Sequence, residues 1–284
     1  MQKSKLQFLT AMGIFGTIGI FVRYLPMTSG AVAFCRGVMG LLCLCAVMCI
    51  QKQKPDISAI RKNLPILLLS GAAMGFNWVL LFESYRYTTI ATATVCYYLA
   101  PLLLLLACPL LGERLTAKKL LCIGTALVGL ICVSGITESG LPSLLELKGV
   151  LLGVGAAVLY ATVMFLNKKL SPIPAYDKTI LQLGSAAVVI LPYLLLNQSP
   201  ILPEMTSAQW TVLLLLGILH TGVAYTLYFG SMKNLHAHTI AVFSYLDPVI
   251  AVILSALLLK EPMSPANIIG TVLILGSALY SELT

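Results

Sequence analysis

An aspartate at position 247 stands near the middle of an apolar run at about 237–258, and an arginine at position 36 stands inside another at about 30–50. An ionised side chain at the centre of a membrane helix costs roughly 2.5–3.5 kcal/mol on insertion scales unless it is paired, protonated or facing water. The chain has only 10 acids and places one of them there. Asp247 therefore reads as a proton or substrate-cation site; the alternative is a structural ion pair or hydrogen bond, with Arg36 as a candidate partner. His220, near the middle of the run at about 208–230, has an ordinary pKa of about 6.5 and is a candidate proton carrier, against the plainer reading of a hydrogen-bonded packing residue. Glu83 lies roughly 12 Å from the middle of its run at 1.5 Å per residue. Arg86 follows it at i+3, so the pair reads as a solvated helix cap or, more sharply, as an outer gate. His236 and His238, two residues apart, diverge on a helix and do not make a metal pair.

Two prolines mark the depth at which a small molecule could dock. Pro101 has no N–H to donate to the carbonyl of Tyr97, and Pro248 leaves that of Ser244 in the same state. Inside hydrocarbon such carbonyls need another donor or a cavity. Thr94, Tyr97, Tyr98 and Pro101 share one helical face by their i, i+3, i+4, i+7 spacing, and Ala241, Ser244, Tyr245 and Pro248 make the matching face. Asn77, Trp78 and Tyr160 add an amide, an indole and a phenol near mid-depth. As a set these residues are expected to line a cavity, although each alone could be packing.

The elements that must position them are membrane helices. Of 284 residues 59% are hydrophobic and 10% charged, with a mean hydropathy of +0.96, too few ions to cover a water-facing surface. A crossing helix needs about 20 mostly apolar residues. Ten candidate runs fall at about 6–23, 30–50, 64–86, 88–108, 118–137, 147–167, 176–196, 208–230, 237–258 and 265–282. None shows the sustained two-residue alternation of a membrane barrel. The expected fold is an all-α polytopic membrane protein of ten transmembrane helices. With the N-terminus inside, 13 Lys and Arg residues fall in inner loops and four (Arg23, Arg86, Lys148 and Lys260) in outer ones, which puts both termini in the cytoplasm. The net charge of +8 is thus loop charge, and its distribution argues against nucleic acid as a partner. All 8 cysteines lie in the first half within apolar stretches and read as small reduced hydrophobes, not as metal ligands. No GxxxxGK[ST] loop, HExxH helix or nucleophile-elbow serine occurs, so neither ATP drive, an enzyme site nor a cofactor is expected.

The chain repeats itself. Gly75–Leu111 aligns with Gly222–Leu258 at an offset of 147, matching Gly75 with Gly222, Phe82 with Phe229, Ser84 with Ser231, Thr92 with Thr239, Tyr98 with Tyr245 and Pro101 with Pro248. Five crossings per copy is an odd number, so residues 1–140 and 145–284 are expected to be two inverted five-helix repeats enclosing a site near the midplane. The paired YYLAP…LLGERLT and SYLDP…LLKEPMS, with Arg36 in the second span, resemble the ten-helix EamA-type branch of the drug/metabolite transporter superfamily. The resemblance covers essentially the whole chain. It implies a central cavity lined largely by spans one, three, four, six, eight and nine, and an exporter of amino acids, other metabolites or drugs, with some members importing. Asp247 stands where that family more often has Glu, and the position matching Arg36 in the second copy holds Gln182. The reading is a plasma-membrane secondary transporter of the bacterial inner membrane, monomer or homodimer, working on a small molecule with protons as a candidate second substrate. An importer or facilitated-diffusion carrier is the alternative, and a channel or integral-membrane enzyme a more distant one. In a background without reactive cysteines, an impermeant thiol reagent applied outside should label Lys260→Cys and not Arg114→Cys; labelling of both would overturn the topology.

Overall fold

In the computed structural model, residues 2–107, 109, 116–134, 143–198, 200–232 and 234–283 are described, the side chains of residues 237, 238, 241 and 282 excepted. Cys108, Glu113, Arg114, Lys233 and the side chains of His238 and Ala241 thus lie outside the described residues. The first half comprises α1 (Gln2–Gly16), α2 (Ile18–Arg23), α3 (Ser29–Ile50), α4 (Ile57–Ser84), α5 (Ile90–Tyr97), α6 (Ala100–Leu106) and α7 (Ala117–Val133). The second comprises α8 (Leu144–Lys168), α9 (Ala175–Leu196), α10 (Ser207–Leu214), a π-helical segment (Leu215–Val223), α11 (Ala224–Met232), α12 (Ala237–Ser244), α13 (Leu246–Leu258) and α14 (Pro265–Leu283). No strand occurs among the described residues. Among the described residues, six helical stretches are long and apolar enough to cross a membrane: 2–23, 29–50, 57–84, 144–168, 175–196 and 207–232. Shorter apolar helices accompany them at 90–106, 242–258 and 265–281.

The helices start where the sequence supplies caps. Thr28, Asp56, Thr89, Thr116, Ser143 and Thr206 each accept a backbone N–H of the following first turn, and Ser143–Glu146 and Thr206–Gln209 close reciprocal capping boxes. Such a cap contributes typically about 1 kcal/mol. The outward faces are apolar, with Leu121, Val188 and Leu257 largely exposed, as a lipid-facing surface requires.

Lipid tails are as apolar as leucine, so helices in a bilayer associate by close packing, not by exclusion from water. Glycine supplies it here. The GxxxG pair Gly71/Gly75 presses α4 onto α9: a Cβ at Gly71 would lie 2.5 Å from the Gln182 carbonyl, and one at Gly75 would lie 3.1 Å from Ala186 and from Ile190. Gly149/Gly153 presses α8 onto Thr88 and Cys96, and Gly129 meets Gly270 where α7 crosses α14. Gly71→Ala should therefore lower the melting temperature, at a cost of about 1–3 kcal/mol for overpacking. Gly184→Ala on α9, where an added methyl meets nothing within 4 Å, should be neutral or slightly stabilising; equal effects would refute the contact.

Candidate functional site

Three interruptions of regular helix flank one space, and a fourth is bonded to a residue that lines it. The first rod breaks at Thr17 between α1 and α2. Another breaks at Tyr98–Leu99, just before Pro101, and its counterpart breaks at Tyr245, just before Pro248. The fourth is the π segment, where the Leu215 and Leu216 carbonyls face the side chains of His220 (Nδ1, 3.0 Å) and Thr221 (Oγ1, 3.1 Å) five residues on. Irregular backbone at membrane depth is tolerated where protein or a cavity satisfies it.

The space is a cavity of about 320 Å3. Met12, Asn77, Trp78, Thr94, Tyr97, Tyr98, Tyr160, Ser244 and Asp247 line it, as do Tyr225, Tyr228 and Phe229 of α11. Spans one, three, four, six, eight and nine all contribute, as the resemblance implies, and Arg36 of α3 and Lys178, Thr179 and Gln182 of α9 join them.

Two charges meet in this cavity without pairing. Arg36 is 4% exposed; its Nε donates to Thr221 Oγ1 (2.9 Å), and its guanidinium carbon lies 4.4 Å from the centroid of the Trp78 ring. The Thr221 hydroxyl in turn donates to the Leu216 carbonyl, so the π segment holds the group that holds Arg36. Asp247 Oδ2 accepts the Tyr98 hydroxyl at 2.6 Å. The ion pairs among the described residues are Arg23–Glu261 (2.7 Å) and Arg86–Glu83 (3.6 Å), so no Arg36–Asp247 bridge within 4.0 Å exists. Tyr97 stacks on Tyr160 with centroids 5.0 Å apart and planes 13° apart. Asn77 donates to the Ala156 carbonyl (2.6 Å), which ties α4 to α8, and Ser244 donates to the Ile240 carbonyl of its own helix (2.8 Å).

Several expected site residues lie elsewhere. Tyr245 is buried among Val252, Ile274 and Leu275, away from the cavity, because the helix breaks at Tyr245 itself and the face shared with Ser244 does not continue through it. Pro101 and Pro248 shape the breaks without lining the space. His220 is fully buried outside the cavity, 4.7 Å from Phe21 between ring centroids, with Nε2 2.8 Å from the Thr17 hydroxyl. A carbonyl can only accept, so Nδ1 carries a proton toward Leu215, while Nε2 meets a Thr17 hydroxyl that also has the Ile14 carbonyl at 2.7 Å. Both nitrogens are engaged, as in a packing residue. Glu83 also stands off the cavity, accepting from the Ser29 hydroxyl (2.6 Å) beside Arg86.

The interhelical ion pair at this end is one the sequence did not suggest. Glu261 accepts from Arg23 Nη1, from the Ile90 N–H (2.9 Å) and from the Ser255 hydroxyl, so one carboxylate joins α2, α5 and α13. Beside it a second pocket of about 340 Å3, lined by Arg23, Ser29 and Arg86, shares Phe82 and Tyr85 with the central cavity.

A multi-pass helical bundle around a small polar cavity is the construction of a membrane transporter. The EamA-like transporter family matches residues 3–135 and 147–281. The uncharacterized transporter YxxF of Bacillus subtilis (strain 168) is 29% identical over 256 residues, 88% of this chain and 79% of its own. An uncharacterized transporter of Archaeoglobus fulgidus is 25% identical over 274 residues (94% and 92%), and a biotin transporter of Salmonella typhimurium 25% over 225 residues (76% and 73%). A solved crystal structure shares the fold with a TM-score of 0.66 at 20% identity, covering 100% of this chain and 97% of that one. The chain belongs to the EamA-like transporter family.

Replacing His220 by Gln should lower thermal stability by about 1–3 kcal/mol, the cost of disturbing a buried hydrogen-bonded group, and leave the pH dependence of transport unchanged. A shifted pH profile at unchanged stability would restore the proton-carrier role.

Proposed function

We propose that the protein is a secondary carrier that moves a small organic solute across the bacterial plasma membrane by alternating access, in the export direction. The observation that carries the reading is the central cavity flanked by three helix interruptions and tied to the fourth through Thr221 and Arg36, with no ion pair between Asp247 and Arg36 on its wall. In this reading the chain crosses the membrane ten times, with both termini cytoplasmic, as two inverted five-helix units at 1–140 and 145–284.

Packing supports the inversion. The pairing of α4 with α8 has its counterpart in α1 with α11, that of α4 with α9 in the π segment with α3, and that of α5 with α8 in α13 with α1. Single contacts repeat as well: Gly75 approaches Ile190 and Gly222 approaches Cys43, and both glycines and both partners are displaced by 147 residues. Halves related in this way can rock about their shared interface and open either side.

On the positive-inside reading, Lys178 lies at the inner end of the cavity and Arg23, Arg86 and Glu261 at the outer. On that orientation the outer end is closed in two layers. Phe82 and Tyr85 form the wall between the two pockets, and Glu261 draws α2, α5 and α13 together above them. The inner end reaches half-buried Lys178. This state would load from the cytoplasm, as export requires. Asp247, held by one phenol, is the candidate for proton coupling. Biotin, the solute named for the Salmonella relative, is one organic molecule of suitable kind to test.

Purified protein in liposomes should give saturable flux that preloaded solute stimulates from the opposite side. Unsaturable flux would indicate a channel, and covalently altered solute an enzyme. Asp247→Asn should flatten the pH dependence of that flux; wild-type rates over the full pH range would remove the proton role.

A further inference from the structure

We infer that Arg36 is the docking point for a carboxylate of the transported solute, an assignment that rests on the carrier reading above and names the chemistry of its central site. The guanidinium is 4% exposed, and α3 contributes no other residue to the cavity wall. Its Nε is committed to Thr221 and one face of the plane lies over Trp78, which fixes the fork in place. The two terminal nitrogens carry four N–H donors and have no hydrogen-bond acceptor among the described residues. A guanidinium held rigidly with its fork free matches a carboxylate in plane and spacing, and the resulting pair of charge-assisted hydrogen bonds is among the strongest available to a protein.

The charges along the route agree. Lys178 and Arg36 line the central cavity, and Arg23 and Arg86 line the pocket beyond Phe82 and Tyr85, against the single acid Asp247 on either wall. Arg23 and Arg86 have Glu261 and Glu83 as neighbours, whereas Arg36 has no carboxylate within 4.0 Å. A monocarboxylate supplies the one charge Arg36 lacks. The rest of the wall, Tyr97 stacked on Tyr160 with Tyr225, Tyr228 and Phe229 nearby, suits an apolar or aromatic body attached to that carboxylate. Asp247 is then free to hold a proton or to accept an amine, so the acid is either a plain organic acid or an amino acid, and both share the same anchor.

The test is thermal stabilisation of the full-length protein in lipid nanodiscs by matched probes: benzoate, biotin, 3-phenylpropanoate and phenylalanine, each against its primary amide. At least one acid should stabilise the protein with an apparent affinity at least about tenfold above that of its amide. The difference should vanish in Arg36→Gln and shrink in Arg36→Lys, which keeps the charge and loses the fork. Should the glutamine variant fail to fold, the reduced preference for acid over amide in Arg36→Lys, set against an unchanged preference in Lys178→Gln, still decides. Response to phenylpropanoate without phenylalanine, or the reverse, supports the anchor in either case and tells whether Asp247 takes an amine. Amides binding as well as acids, no acid binding at all, or an acid preference that survives in folded Arg36→Gln would each overturn the assignment. Acids that bind but are never exchanged by liposomes would instead remove the carrier reading and leave the Arg36 site standing.

Discussion

Arg36 and Asp247 share a cavity of about 320 Å3, yet neither neutralises the other. Had they paired, a solute would have to break a buried salt bridge to bind, and removing one partner of such a bridge costs about 3–5 kcal/mol. Each charge is held instead by neutral groups: Thr221 and the Trp78 face for the arginine, the Tyr98 phenol for the aspartate. A cation–π contact contributes about 0.5–2 kcal/mol, and a hydrogen bond to a charged group about 1.5–3 kcal/mol. That is enough to orient the side chains and too little to satisfy them. In the carrier proposed above, that leaves both charges open to a ligand at membrane depth, surrounded by dipoles.

Holding dipoles at that depth requires helices that are not regular there. Thr17, the Tyr98–Leu99 break and Tyr245 adjoin residues that line the cavity, and the π segment reaches it through Thr221 and Arg36. Each does a definable job. The break after Tyr97 sets Tyr98 against Asp247, and the π segment frees the Leu216 carbonyl for Thr221, which in turn fixes Arg36. Away from the cavity the contacts are of another kind, glycine against backbone at α4/α9 and α7/α14, where even a methyl group would collide. Tight seams of this sort resist sliding. Aromatic contacts and single hydrogen bonds, as around the cavity, can be exchanged one for another.

Much of this was legible in the sequence because it follows from rarity or period. Ten apolar runs, an acid near the middle of one and an arginine inside another are visible before any coordinates, and all but one of the polar residues singled out near the two prolines line the cavity. The exception has a local cause. Tyr245 was placed by continuing a helical face across a residue at which the helix breaks; His220, read from its position as a proton carrier or a hydrogen-bonded packing residue, is buried with both ring nitrogens engaged. Glu261 and Arg23 are 238 residues apart, in stretches the sequence marks only as loop charge, so nothing local announces their pairing. Phe229 could have been found: the repeat aligns it with Phe82, and both line the cavity.

The duplication extends to the scaffold and stops at the charges. Gly75 and Gly222, Phe82 and Phe229, and Pro101 and Pro248 occupy matching positions, but at the same offset of 147 the position matching Arg36 holds Leu183, next to Gln182, and the one matching Asp247 holds Ala100. Gln182 is committed to Ser70 (2.7 Å) and Asn167 (2.8 Å), a structural bond that joins α9 to α4 and α8. Arg36 thus comes from the first half and Asp247 and Lys178 from the second, and none has a charged twin at that offset. A fully symmetric cavity would accept a solute in two opposite orientations equally well. In the carrier proposed above, the unequal charges of the two halves would give a polar solute one preferred direction, and rocking the halves would carry it across without turning it over. Symmetry in the helices would then serve the motion, and its absence in the charged side chains would serve recognition.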